Sequence, residues 1–176
     1  ATAPQTLVTS LVGAAQAATP YATPWRVLML ATSPMALLSQ NSLLYHLSPP
    51  SQLTDISWIR PGKAMRSALT TAAARQTIDF AATHGLDYIE FDVGWYGLGY
   101  DGEFDPASDA TQVIAAIDMP QVLAYAAQQG RGVLLYVNRV ALERQLDTLL
   151  PLYASWGVAG IKFGYMDGRS QAGIRF

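Results

Sequence analysis

The chain has 176 residues, 51% of them hydrophobic and only 14% charged, with a formal net charge of −2. That length builds one domain with a real core. A charge fraction below the usual quarter means that much of the surface is expected to be covered, in part by protein outside this sequence. The near-neutral balance excludes nucleic acid as a partner, because phosphate binding needs a basic patch. The absence of cysteine excludes disulfides and thiolate metal sites. No run of about 18 apolar residues is present, so no membrane-spanning helix is read. The first residues show no basic start followed by an apolar stretch, so no secretion signal is read from them.

Residues 1–24 are rich in Ala, Thr and Pro and nearly uncharged, as in a linker. Trp25–Ala31 reads as a strand, Met35–Gln40 as a short helix, and Leu43–Tyr45 as a further apolar run ended by Pro49 and Pro50. This part lacks an alternating strand and helix rhythm. Residues 1–52 are therefore expected to be a connecting segment, and residues 53–176 the main fold.

From Leu53 the rhythm changes. Ile56–Ile59 predicts a short strand, ended by Pro61-Gly62. Thr70 or Thr71 caps a predicted helix reaching Thr83, with Ile78, Phe80 and Ala81 near its apolar face and Gly85 past its end. Residues 86–93 form the central strand. A long polar loop from Gly97 to Ala110 follows, with Asp101, Glu103, Asp105 and Asp109. These acids lack the spacing of a calcium loop, so a solvated loop is the expectation. Asp118-Met-Pro120 opens a helix running to Gln129. Val133–Asn138 is the next strand, Val140–Trp156 a helix carrying Pro151, and Val158–Tyr165 a fourth strand before a final loop or helix.

Strand and helix alternate, which implies an α/β fold with parallel strands joined by right-handed crossovers. A (β/α)8 barrel and a doubly wound sheet both fit. The nucleotide-binding form of the latter needs a glycine-rich turn after a strand, and none is present. Four βα units make half a barrel, so the chain is expected to supply about the first four units of a TIM-type barrel.

Alternation along each strand sorts the side chains into two faces. Ile89, Phe91 and Val93 are apolar, with Tyr88, Glu90 and Asp92 opposite. Val133, Leu135 and Val137 are apolar, with Leu134, Tyr136 and Asn138 opposite. Ile161, Phe163 and Tyr165 are apolar, with Lys162, Gly164 and Met166 opposite. If the apolar faces meet helices, Glu90, Asp92, Asn138 and Lys162 converge inside the barrel, at the strand ends where barrels do their chemistry. Asp92, Asn138 and Lys162 are candidates for hydrogen-bonding a polar substrate, and Trp95 and Tyr96, beyond the glycine that breaks the central strand, for walling the pocket. The alternative for Lys162 is a buried ion pair with Glu90 or Asp92. Asp167 serves equally as a helix cap. His46 and His84 have no partners in a catalytic spacing.

Trp58-Ile-Arg-Pro-Gly-Lys63, Ile78-Asp-Phe-Ala-Ala82, Tyr88-Ile-Glu-Phe-Asp-Val-Gly-Trp-Tyr-Gly97 and Gly160-Ile-Lys-Phe-Gly164 together resemble glycoside hydrolase family 97, a family of bacterial α-glucosidases and α-galactosidases. Thr23-Pro-Trp-Arg-Val27 resembles the segment leading from that family's N-terminal β-sandwich into its barrel. The resemblance covers about residues 23 to 171. It implies an exo-acting α-glycosidase with a calcium ion at the site, an oligosaccharide substrate and a periplasmic or extracellular location. It also implies that the acid, the base and most calcium ligands lie outside this chain, which holds no metal ligands of its own. Lys162 matches a lysine with which the family holds substrate. Retaining members carry an aspartate nucleophile two residues later, where this chain has Gly164. Inverting members carry a glutamate just after the third strand, where this chain reads Asn138-Arg139-Val140. The missing carboxylate at 164 favours inversion, since inversion needs room for a water between acid and base. The rival expectation is a catalytically silent half-barrel that binds sugar or assembles with the missing half or with a second copy.

Overall fold

The computed structural model describes residues 12–23, 26–97, 99–100, 103–104, 109–166 and 168–175. They divide into two units, Gln16–Arg60 and the remainder, which contains Pro61–Phe176.

In the first unit, α1 (Pro34–Leu38) starts with Ser33 accepting from the Ala36 N–H, and proline occupies its first turn. The second helix, α2, spans Ser42–Leu47. Neither helix buries a residue. Residues 26–31, expected as a strand, have no regular structure; Trp25, where that strand was to start, lies outside the described residues. An apolar run forms a strand only where another strand pairs with it, and none of this unit's described residues does. Ile56–Ile59, also expected as a strand, includes a turn whose Ile59 N–H donates to the Ile56 carbonyl, and the Trp58 indole N–H bonds the Asp55 carbonyl.

The second unit holds a four-stranded parallel sheet: β1 (Ala64–Ser67), β2 (Tyr88–Phe91), β5 (Gly132–Asn138) and β6 (Gly160–Gly164), in that spatial order. A small antiparallel pair, β3 (Gly99–Tyr100) and β4 (Glu103–Phe104), lies within the polar loop. The register aligns Arg66 with Glu90, Glu90 with Leu134, Leu134 with Gly160, and Tyr136 with Lys162. Each new strand is added beside the previous one with no reversal. A doubly wound sheet reverses at its switch point, whereas winding in one sense builds a barrel.

The crossover helices are α3 (Thr71–His84), α4 (Met119–Gln128) and α5 (Arg139–Trp156); α6 (Gln171–Arg175) follows β6. Local chemistry sets their limits. Thr70, Asp118 and Asn138 each place a side-chain oxygen on a first-turn N–H, supplying partners to donors that lack one within the helix. Gly85 and Gly157 close α3 and α5 in the left-handed conformation that glycine adopts without strain. Pro151 lies within α5, which continues past it to Trp156.

The core lies between sheet and helices. Ile78 and Ala81 of α3, Val122 and Ala126 of α4, and Ala141 and Leu149 of α5 pack against Ile89, Phe91, Val133, Leu135 and Val137. The alternation expected for β2 and β5 is therefore observed. Two apolar expectations fail. Phe80 is exposed and stacks on His84, their centroids 3.9 Å apart. Phe163 is exposed because β6 is an edge strand among the described residues, and only Ile161 of its apolar set joins the core.

Candidate functional site

With the helices holding one face of the sheet, the other face carries the polar side chains. Glu90 projects from β2, and Asp92 extends the same side of that strand by one step. Lys162 projects from β6, two strands away. Its Nζ lies 2.9 Å from Glu90 Oε1 and 3.4 Å from Asp92 Oδ2. The structure thus brings together three of the four groups that the facing rule selected. The acids are mostly sheltered, with 14% and 16% of their side chains exposed, whereas half of the Lys162 side chain is open. Such an ammonium can leave one carboxylate for a ligand at modest cost, since half-exposed ion pairs are weak.

Arg66 is a residue that sequence reasoning missed. Its guanidinium lies 3.5 Å from Asp92 Oδ2. It went unseen because β1 was expected at Ile56–Ile59 rather than at Ala64–Ser67. The available signal was position: Arg66 lies just ahead of the Thr70 cap of α3, where a strand feeding that helix has to end. Two cations and two carboxylates make the cluster formally neutral, which suits an uncharged, hydroxyl-rich ligand. The Glu90 carboxylate, followed by the charge of Asp92, raises the Lys162 pKa above its ordinary value against a smaller desolvation effect. Lys162 is therefore protonated at neutral pH.

Asn138 does not join this cluster. It is buried, its backbone N–H donates to Tyr96 Oη at 3.0 Å, and its Oδ1 accepts from the Val140 N–H at 2.9 Å. Its side chain is thus engaged as the α5 cap. Trp95 and Tyr96 do not wall an open pocket in the described structure. Trp95 is fully buried, its indole N–H donates to the Tyr136 carbonyl at 2.7 Å, and its ring meets Tyr96 and Tyr153 edge-on. The chain turns after Val93, and the large rings swing into the helix layer, where apolar area is best buried. Both residues instead hold the end of β5 in place.

The loop before α4 is pinned to α5. Asp109 accepts from the Thr111 N–H, the Thr111 hydroxyl and Gln145 Nε2, which depress its pKa, the Gln145 bond most of all. Asp101, Asp105 and Asp167 lie outside the described residues, and Glu103 is described in its backbone alone. Among the described residues no cluster of three acids or histidines is placed to hold a metal, and the two acids of the site already face Lys162 and Arg66. The described residues therefore do not fit a calcium site. An apolar cavity of about 500 Å³ lies in the helix layer, lined by Met119, Leu123 and Trp156 among others. It has no convergent polar groups to orient a sugar.

Comparison with known proteins decides the family. The Glycoside hydrolase 97 model matches residues 54–176. The chain belongs to the glycoside hydrolase 97 family. It is similar to a retaining α-galactosidase of Bacteroides thetaiotaomicron, 30% identical over 158 residues that cover 82% of this chain and 23% of the relative. A probable retaining α-galactosidase of Streptomyces bingchenggensis is 31% identical over 171 residues, covering 88% of this chain and 25% of that protein. The chain thus spans about a quarter of these relatives' length. In structure it resembles a family 97 enzyme of Pseudoalteromonas sp. strain K8, solved in complex with acarbose, with a TM-score of 0.63 and 24% identity over 73% of this chain and 23% of that one. The four-stranded sheet with its crossover helices is part of a TIM-type barrel, as its winding indicated.

Proposed function

We propose that this chain is part of an exo-acting α-glycosidase that releases terminal α-linked galactose or glucose, and that Asp92 and Lys162 hold hydroxyls of the terminal sugar. The observation that carries this reading is Lys162 set between Glu90 and Asp92 at the C-terminal ends of parallel strands, where barrel enzymes bind substrate. Family membership supports glycoside hydrolysis, and the names of the two relatives support galactose. Glu90 and Asp92 are both ion-paired to Lys162, and the family resemblance puts the acid and base elsewhere, so we place the reacting pair outside this chain. Calcium, if the whole enzyme uses it, takes its ligands from outside the described residues. A periplasmic or extracellular location is proposed from the resemblance alone. The test is hydrolysis of p-nitrophenyl α-galactoside and α-glucoside by the full-length protein, with and without calcium. Cleavage of either supports the proposal, and a folded protein that cleaves neither defeats it.

A second reading has its own observation. Gly164 gives β6 no carboxylate, and β1 and β6 are unpaired edges among the described residues. A silent sugar-binding or assembly module built on this sheet would pair those edges with another copy or with the missing half. Sedimentation of the chain decides: a stable monomer of these residues alone argues against it.

A further inference from the structure

Tyr136 lies on the polar side of β5, opposite Lys162 in the register, with Lys162 Nζ 5.7 Å from its ring centroid. It is only 2% exposed, and no described residue meets its hydroxyl with good hydrogen-bond geometry, the one polar side chain close to it being that of Asn138. Native proteins keep few buried hydroxyls in that condition, and each calls for an explanation. The ring is also held deliberately. Trp95 fixes its backbone carbonyl, and Tyr165, whose φ of 57° departs from strand geometry, meets it edge-on at 6.5 Å. A Cβ at Gly164 would stand 2.8 Å from Tyr136 Cε2 and 3.2 Å from its hydroxyl oxygen. The phenol thus occupies the space that any side chain at position 164 would need.

We propose that Tyr136 contacts the substrate: its hydroxyl donates a hydrogen bond to an oxygen of the neutral pyranose held by Asp92 and Lys162, and the glycine at 164 is what admits the ring. This rests on the sugar-binding reading above. Burial, with the nearby tyrosines and Asp92 adding to it and the Asn138 side chain opposing it, pushes the phenol up to about 12, so at neutral pH it is a donor and not a nucleophile. The site then offers a cation, a carboxylate acceptor and a neutral donor to a ring whose hydroxyls both donate and accept.

The test is calorimetric titration of methyl α-D-galactopyranoside and methyl α-D-glucopyranoside into the full-length protein and its variants. Tyr136→Phe removes only the hydroxyl oxygen. It is expected to weaken binding of the preferred sugar about three- to tenfold, the size of one neutral hydrogen bond. Its melting temperature should stay the same or rise, because a hydroxyl serving the fold would lower it on removal. Gly164→Ala is expected to weaken binding as well, by displacing the ring. If the wild type binds, Lys162→Gln does not, and Tyr136→Phe binds like the wild type, the Tyr136 assignment is overturned and the sugar site survives. If the wild type binds neither glycoside, both fail together.

Discussion

The indole N–H of Trp95 donates to the carbonyl of Tyr136 at 2.7 Å, tying the turn after β2 to a residue 41 positions later. With the Tyr96 hydroxyl accepting from the Asn138 N–H, the Trp-Tyr pair fixes the last residues of β5 from behind. Trp95→Phe removes this bond and part of a fully buried ring. The expected cost is about 2–4 kcal/mol of unfolding free energy, the sum of an unsatisfied buried carbonyl and a cavity. Urea unfolding checks it, and a loss under about 0.5 kcal/mol, the range of an ordinary surface substitution, would mean that the clamp is not structural.

Asn138 was expected to bind sugar and is found capping α5. Asn138→Ala should destabilise the chain by about 1 kcal/mol, typical of a lost cap. Asn138→Ser should recover most of that. Sugar affinity should be nearly unchanged in both variants, as measured by calorimetry. A large loss of affinity with intact stability would return Asn138 to the binding set.

Burial raises the pKa of Tyr96, Tyr136 and Tyr153 above the ordinary phenolic value, desolvation being the largest cause in each. The sign follows from linkage. The folded state keeps protons that the unfolded state releases above about pH 10, so stability is whole below that pH and falls as pH climbs toward 12. Near-ultraviolet titration of the nine tyrosines should show these three ionising only as the fold is lost. Normal titration of all nine in a folded chain would contradict their burial.

Much of the fold was legible because it is written in local chemistry. Thr70, Asp118 and Asn138 start helices and Gly85 and Gly157 end them, and such signals need no tertiary context. The faces of β2 and β5 follow from alternation, so Glu90 and Asp92 could be placed with Lys162. The first strand was misplaced because Ile56-Ser-Trp-Ile59 has stronger strand formers than Ala64-Met-Arg-Ser67. Pairing with β2 overrides that preference, and the error concealed Arg66. Trp95 and Tyr96 were misread because sequence shows that a strand breaks at Gly94 but not which way the chain turns. Tyr165 follows the same logic: its left-handed backbone brings an expected outward residue to the ring of Tyr136.

The stereochemistry of hydrolysis offers a separate check. Gly164 leaves the end of β6 without a nucleophile, and the Tyr136 ring fills the space. Hydrolysis of an α-glycoside by the full-length protein should therefore release the β-anomer first, the product of direct attack by water. Proton NMR of the first product decides between the anomers. An initial α-anomer would require a nucleophile from elsewhere in the enzyme.

The most direct test of the account is the affinity of the full-length protein for methyl α-D-galactopyranoside and methyl α-D-glucopyranoside before and after Lys162→Gln, followed by calorimetry alongside a thermal melt. Lys162 is half-exposed, so the variant should melt within a few degrees of the wild type while losing at least about tenfold in affinity for the sugar it prefers, the scale of a charge-assisted hydrogen bond. Unchanged affinity in a folded variant would show that the cluster around Lys162 only braces the sheet and that the sugar binds elsewhere.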